Sequence, residues 1–511
     1  MAKYIQMKSI IRLILLLATT SLFAQSDFDK FKEQSLNEFK QFSEQQEKDF
    51  NAFRDKVNAD YADFLRNRWE EMKSFNGTPA PLPPEPIAPV VVEPEKKHTA
   101  DPLPFEKIIP PPTQEPRPQP IVPSLLTQPD IPDPLKEDKP TIKPDKSTFS
   151  FLFYNTECNI KLTNDMRFSL HDISEQSVSQ VWKTLSKPKY ETLITESLLL
   201  RDKLNLSDWG YIMLLKEMTE KFFGKTSNEA VLMQMFILTQ SGYKVRIART
   251  NNQLALLVPS KQTIYEYSFL NIQGVNYYVV NKDLKSSSFY ICNQDFPKEQ
   301  FFSWQTGQPI LTEKFNAPKS FVSKRNPEIN VSVQTNQNLM DYYSNYPLTS
   351  NWDLYTLVGF SEDVKNILYP VFQQAINGKE KLEAAQILLS FVQTAFEYKT
   401  CAEQFGYERP FFPDENFYYP YNNCKHRATL FALLIKELLE LDVVLLHYPG
   451  HLSPDGIGHL TTAVNFSEDV KGDHFIIRGK KFIVCDPTYI GANVGMSMDK
   501  YKNVRAEIIE L

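Results

Sequence analysis

The chain of 511 residues reads as an α+β protein of several domains, and three observations carry that reading. Apolar residues recur at threes and fours in several windows, including 379–397 and the stretch after Cys424, which predicts helices packed on a core. Runs of β-branched and aromatic residues lie between them, such as Phe149-Ser150-Phe151-Leu152-Phe153-Tyr154 and His459-Leu460-Thr461-Thr462-Ala463-Val464. These predict strands of an antiparallel sheet. The many prolines gather between residues 77 and 148, which sets a polar, aromatic-striped N-terminal segment apart from the rest of the chain.

Bulk properties narrow the function classes. The net charge of −6 offers no basic surface for nucleic acid. The five cysteines (158, 292, 401, 424 and 485) have no CxxC spacing, which argues against a structural zinc, and their odd number leaves at least one thiol unpaired. With no metal or nucleotide signature, no cofactor is expected.

In chain order, residues 1–24 read as a secretory signal. Lys3, Lys8 and Arg12 precede the apolar Leu13-Ile14-Leu15-Leu16-Leu17-Ala18, and Ala24 offers a cleavage point. The run is shorter than the ~20 residues a bilayer span needs. A secreted or periplasmic protein with no integral membrane segment is therefore expected.

Residues 25–76 carry an eleven-residue repeat. Phe28, Phe39, Phe50, Tyr61 and Met72 form one series, and Phe31, Phe42, Phe53, Phe64 and Phe75 form a second. Eleven residues in three turns predicts one long, nearly straight helix with an aromatic stripe. Such a stripe needs cover, expected here from self-association or a partner protein. Residues 77–148, with Pro79-Ala80-Pro81-Leu82-Pro83-Pro84-Glu85-Pro86 and Ile109-Pro110-Pro111-Pro112, predict a semi-rigid spacer.

The globular part begins near 149, with helical patterns at about 175–186 and 208–224. Residues 228–281 then run helix, strand, strand and hairpin. The last stretch, Ile272-Gln273-Gly274 through Asn281, matches Ile477-Arg478-Gly479 through Asp486 glycine for glycine. In that alignment Gln253 falls opposite His459, Asn281 opposite Asp486, and Cys424 opposite Thr226 or Ser227. An internal duplication is expected, with an inert copy over 149–310 and a chemically equipped one over 311–511. Glutamine and asparagine neither abstract a proton nor stabilise an imidazolium.

Within 311–511, Cys424 sits in the first turn of a predicted helix, just after Pro420, Asn422 and Asn423. Free amides and the helix dipole there favour a thiolate. His459 opens a strand, and Asp486 follows the strand Phe482-Ile483-Val484-Cys485. Nucleophile, base and orienter are each placed at the end of a regular element. His451 competes with His459 but lies in a loop, whereas His426 and His447 fall on apolar elements and read as structural.

Cys at a helix start, His at a strand start and Asp486-Pro487-Thr488-Tyr489 after the next strand resemble the transglutaminase-like branch of the papain-type superfamily. The resemblance covers about the last 120–140 residues. It departs from the family pattern around the cysteine, where Asn423, Lys425 and His426 stand in place of acidic residues. It implies a papain-like C-terminal domain with the cysteine helix packed on an antiparallel sheet. It also implies acyl transfer from a peptide or protein amide through Cys424, with His459 and Asp486 completing the triad and hydrolysis favoured over cross-linking.

Gln393 and Tyr419 are the candidate side-chain donors to the oxyanion, beside the Cys424 backbone N–H. Tyr418, Tyr421 and Tyr489 are candidate substrate contacts, and the aromatic loop 398–421 is a candidate substrate wall. The alternative from another class is a non-catalytic cell-envelope scaffold or binding protein on the same fold.

Overall fold

The computed structural model describes residues 37–38, 40–79, 91, 101–111, 117–118, 148–282, 284–304, 307–349, 353–453, 456 and 458–511. The expected signal segment lies outside the described residues. The elements in chain order begin with helix α1 (40–66) and strands β1 (Glu70–Lys73), β2 (Phe105–Ile109), β3 (Phe149–Phe153) and β4 (Thr156–Ile160). Helices α2 (Glu175–Leu185), α3 (Glu191–Lys203), α4 (Asp208–Phe223) and α5 (Asn228–Gln240) come after them. Next are strands β5 (Arg246–Arg249), β6 (Leu254–Ser260), β7 (Phe269–Ile272), β8 (Val275–Val279) and β9 (Ser288–Ile291).

The second half holds β10 (Lys319–Val322), β11 (Asn330–Val333), α6 (Gln337–Ser344), α7 (Asp353–Leu357), α8 (Glu362–Ile376), α9 (Lys381–Thr394), α10 (Cys401–Phe405), α11 (Glu415–Tyr418) and α12 (Cys424–Leu434). It closes with β12 (Val443–Tyr448), β13 (His459–Asn465), β14 (His474–Ile477), β15 (Lys480–Cys485) and β16 (Ala506–Glu510). The protein is thus a mixed helix-and-sheet fold with mostly antiparallel pairing, as the α+β reading expects.

Two six-stranded sheets organise the molecule. The first runs β7-β8-β6-β5-β9-β1 and the second β14-β15-β13-β12-β16-β2, so the two share one strand order. They also share a hairpin turn. Gln273 and Gly274 (φ 51° and 84°) turn β7 into β8, and Arg478 and Gly479 (φ 48° and 79°) turn β14 into β15. A two-residue turn with both residues at positive φ matches the twist of its strands, and glycine takes the second position without a Cβ penalty. The sheets differ at their last strand, because β1 pairs antiparallel to β9 whereas β2 runs parallel to β16.

A helix layer covers each sheet. In the first lobe α5 packs on β5 and β6, with Leu232, Met235, Phe236 and Leu238 buried among α2–α4. In the second, α12 packs on β12 and β13 from one side and α9 from the other, joining Leu388, Phe391, Phe431, Leu434 and Leu445 in one core. α12 is buried nearly all round, its apolar Ala428–Leu434 part among these residues and its polar first turn held by hydrogen bonds.

Several expectations need correction. The repeat helix ends at residue 66 rather than 76, and the chain continues into β1 against β9. Its Tyr61, Ala62 and Leu65 are buried in the first lobe together with Trp69, and Tyr61 meets Trp182 at 4.8 Å and Phe296 at 5.1 Å between ring centroids. Asn58 adds a side-chain bond with Gln240, and Arg54 an ion pair with Glu191. No spacer separates this helix from the lobe it covers, so little loop entropy opposes docking. The second aromatic series takes a different course, since Phe42, Phe53 and Phe64 remain exposed.

The proline-rich stretch is not only a spacer. Between Pro104 and Pro110 the proline-free Phe105–Ile109 forms β2 on the second sheet, and Arg117 bonds the Leu206 carbonyl of the first lobe. The first lobe's core also reaches past residue 310, taking in Leu339, Tyr342, Tyr343, Tyr355 and Phe412. Among the described residues no helix is long and apolar enough to cross a membrane.

Candidate active site

Local sequence explains how each chemical group is held. Asn423 caps α12. Its Oδ1 accepts from the Lys425 and His426 N–H groups, while His426 Nδ1 accepts from the Asn423 N–H, a reciprocal cap. That cap places Cys424 in the first turn. His459 opens β13, and Asp486 follows β15, which pairs with β13 through Thr462 and Cys485. Sheet pairing therefore sets the histidine and the aspartate beside one another, and the packing of α12 on β13 delivers the sulfur.

The three groups meet. His459 Nε2 lies 2.9 Å from Asp486 Oδ2, and the Cys424 thiol and the same ring act on each other's ionisation. With Nε2 engaged by the carboxylate, Nδ1 is the ring nitrogen left to face sulfur. Asp486 Oδ1 accepts from the Thr488 N–H at 2.9 Å, which fixes the carboxylate plane. Tyr501 stacks on the imidazole at 4.9 Å, and Tyr448 stacks on Tyr501 at 4.7 Å. Cys424, His459 and Asp486 are all buried, at 3%, 6% and 2% exposure.

Electrostatics favours a thiolate–imidazolium pair. Burial opposes ionisation of Cys424, but the His459 hydrogen bond and charge, the Lys425 ammonium and the Leu460 N–H outweigh it and hold the thiol below its ordinary value. Burial likewise disfavours the charged form of His459, and Asp486 and Cys424 overcome it, so the imidazole titrates well above its usual range. The other cysteines behave oppositely. Burial pushes Cys158 and Cys292 up to about 11 and Cys401 up to about 12, and it raises Cys485 further. Cys424 alone among the five is primed to ionise.

The remaining predicted site residues have other roles. Gln393 is not an oxyanion donor. Its Nε2 donates to the carbonyls of Asp486, Tyr489 and Ala492 at 2.9–3.1 Å, tying the turn that carries the aspartate to α9. Tyr419 is packed among Phe411, Phe405 and Arg409 rather than aimed at Cys424. Tyr489 is buried in the core behind the second sheet. Tyr418 contacts Lys319 and Gln337, and Tyr421 lies under the Lys399 ammonium, so neither reaches the triad. Exposed His451 sits on the turn after β12, and His426 donates from Nε2 to the Arg409 carbonyl, kept neutral by burial.

The aromatic loop turns inward. Phe411 stacks on His426, Phe412 enters the first lobe's core and Phe417 the second's. Burial was the better reading for these rings, because a loop this long stays ordered by packing its own side chains.

Three further residues shape the site, of which Tyr398 and Arg427 are new and Asn423 marks the helix start in the sequence. Burial and the neighbouring Cys424 push the Tyr398 phenol well above its ordinary range. Arg427 is buried beneath the site, donating to the Gln393 and Phe396 carbonyls. Asn423 also donates to Cys401 Sγ at 3.1 Å. Tyr398 carried no local signal, whereas an asparagine directly before a helix could have been read as its cap.

The same loop holds a pH-sensitive acid. Asp414 is fully buried. Its Oδ1 accepts from Ser361 N–H at 3.0 Å, and Oδ2 has no partner among the described residues. Burial, with Asp363 and Glu415 adding to it, pushes its carboxyl up to about 6. The folded state thus binds this proton more tightly than the unfolded chain, and stability falls as pH rises from about 4 to about 6. Asp414→Asn is expected to raise the melting temperature at pH 8 by removing a penalty of at most about 3 kcal/mol, with the gain shrinking towards pH 5. Thermal unfolding at the two pH values checks this.

Compared with family models, curated proteins and solved structures, the chain matches none.

Proposed function

We propose that the protein is a cysteine-dependent acyl-transfer enzyme of transglutaminase-like type, acting on peptide or protein amides and favouring water as acceptor. The observation that carries this reading is the convergence of Cys424, His459 and Asp486, with His459 bonded to Asp486 and electrostatically linked to Cys424, from a helix start, a strand start and a strand end. The shared strand order of the two sheets supports the companion reading of a duplicated domain whose first copy has lost the chemistry.

In the proposed reaction the Cys424 thiolate attacks the amide carbonyl carbon, and the electron pair moves to oxygen. The Cys424 N–H would take that oxyanion. As the C–N bond breaks, protonated His459 gives its proton to the leaving amine, and a thioester remains. Water then attacks the thioester while His459 accepts its proton. The C–S bond breaks, the acid leaves, and the thiolate–imidazolium pair is restored. Asp486 stabilises the imidazolium and fixes the ring's tautomer throughout.

The two shifts set the pH dependence. Turnover needs Cys424 ionised and His459 protonated at the start. It is expected to rise as the thiol deprotonates below the ordinary cysteine range and to fall only above the ordinary histidine range. Iodoacetamide labelling with mass-spectrometric readout tests the reading. Cys424 is expected to react faster than the four other cysteines at pH 6–7. The closed, buried setting of the sulfur favours the scaffold reading instead, and that reading leaves all five thiols equally slow at this pH.

A further inference from the structure

The pairing registers superpose the two sheets residue by residue. Cys485 faces Thr462 across β13 and β15, and the Val280 N–H bonds the Leu256 carbonyl in the first lobe. With the matching hairpins this sets Leu256 opposite Thr462, Gln253 opposite His459, Leu254 opposite Leu460 and Asn281 opposite Asp486. Ser227 caps α5 as Asn423 caps α12, so the counterpart of Cys424 is Asn228, one residue beyond the position expected from sequence. One bond supports the assignment. Asn228 Oδ1 accepts the Leu254 N–H at 2.8 Å, and the corresponding Leu460 N–H is one of the groups that lower the Cys424 thiol. Where one lobe has thiol, imidazole and carboxylate, the other has three amides.

This set is not buried as the triad is. Gln253 and Asn281 line a cavity of about 320 Å³ with Thr226, Lys216, Lys225 and Lys282. A neighbouring cleft of about 600 Å³ shares those three lysines and continues along Tyr154, Trp209 and Tyr267. Lys216 and Lys225 have no ion-pair partner among the described residues, whereas Lys282 bonds Glu266 and Lys221 pairs with Glu217. Glu220 lines both cavities and Glu217 the larger one, against Lys216, Lys225 and Lys282 in both and Lys221 in the larger. Trp209 is 5% exposed, and its indole N–H has no acceptor among the described residues. A buried donor without a partner costs about 1–3 kcal/mol, which a ligand carbonyl could offset.

We propose that this cleft is a non-catalytic binding site for an acidic polypeptide segment. Gln253 offers an amide to a peptide backbone, Asn281 offers its amide nitrogen while its oxygen holds the Leu256 N–H, and Lys216 and Lys225 offer charge to carboxylate side chains. The aromatic extension accommodates the chain beyond. In a chain of net charge −6 such a cationic cleft is a local exception. The site deepens the proposed function, giving the second lobe a companion that holds an acidic polypeptide substrate without cutting it.

The test uses the full chain and a fluorescein-labelled peptide of about ten glutamates, followed by anisotropy. Saturable, salt-sensitive binding is expected, weakened about tenfold or more by Lys216→Glu/Lys225→Glu and by Gln253→Glu. Lys187→Glu/Lys203→Glu, outside the cleft, is expected to change it less than twofold, and Cys424→Ala not at all. Equal binding to the cleft variants, equal binding of a neutral glutamine peptide, or no binding overturns the proposal. Because Cys424→Ala binds without turnover, failure here leaves the acyl-transfer reading standing, and failure of that reading leaves this site standing.

Discussion

Cys424→Ala is expected to abolish amide turnover, by a factor of at least about 10⁴, while leaving the fold intact. The expectation rests on the isolation of this sulfur. Burial raises every other thiol in the chain, so none can substitute as nucleophile at neutral pH. Removing a nucleophile costs nearly the whole of the covalent route, because histidine and aspartate have nothing left to activate. Alanine leaves out only a small buried sulfur at the first turn of α12, where the Asn423 cap remains. Turnover of a peptide-amide library, with circular dichroism as the fold control, measures the effect. Turnover by the variant within tenfold of the parent would remove Cys424 from the mechanism.

The largest effect on stability is expected at Gln393. Its amide nitrogen serves three carbonyls of the turn from Asp486 to Ala492, all at a buried site. Gln393→Leu leaves those acceptors without a donor at about 1–3 kcal/mol for an unsatisfied buried group, so a loss of roughly 3–5 kcal/mol is expected. Gln393→Glu preserves shape but sets a carboxylate against three carbonyls, and it is expected to be worse at neutral pH. Burial beside acceptors would raise that carboxyl's folded pKa above its unfolded value. The variant should therefore recover stability as pH falls and lose it as pH rises. Thermal unfolding at pH 5 and pH 8 separates the variants. Since Gln393 positions Asp486 without touching substrate, kcat is expected to fall further than KM rises in either variant.

Legibility in the sequence tracked the range of the interactions involved. Cys424, His459 and Asp486 stand at the ends of regular elements, and element ends are marked locally by Asn423, by the β-branched run after His459 and by Pro487. The sheet then brings these ends together. Gln393 was misread because its role depends on carbonyls 93 to 99 residues away. Tyr419 failed for the same reason, as ring packing with Phe411 and Phe405 leaves no local trace. The matching hairpins were readable from their two turns, whereas the counterpart of Cys424 was displaced by one residue from Asn228, which the Leu254 bond points to. Residues 105–109 were hidden by composition, a short strand-forming window inside a stretch whose prolines argue for a spacer.

The provenance of β1 and β2 bears on how the molecule can be cut. Both strands come from the first 110 residues, yet each finishes the rim of a different sheet, against β9 and β16. A fragment starting at residue 149 would bare two rows of unpaired amides and carbonyls, templates for pairing with other chains, and should aggregate. The N-terminal quarter is thus a double clasp, and a fragment with intact sheets has to retain it.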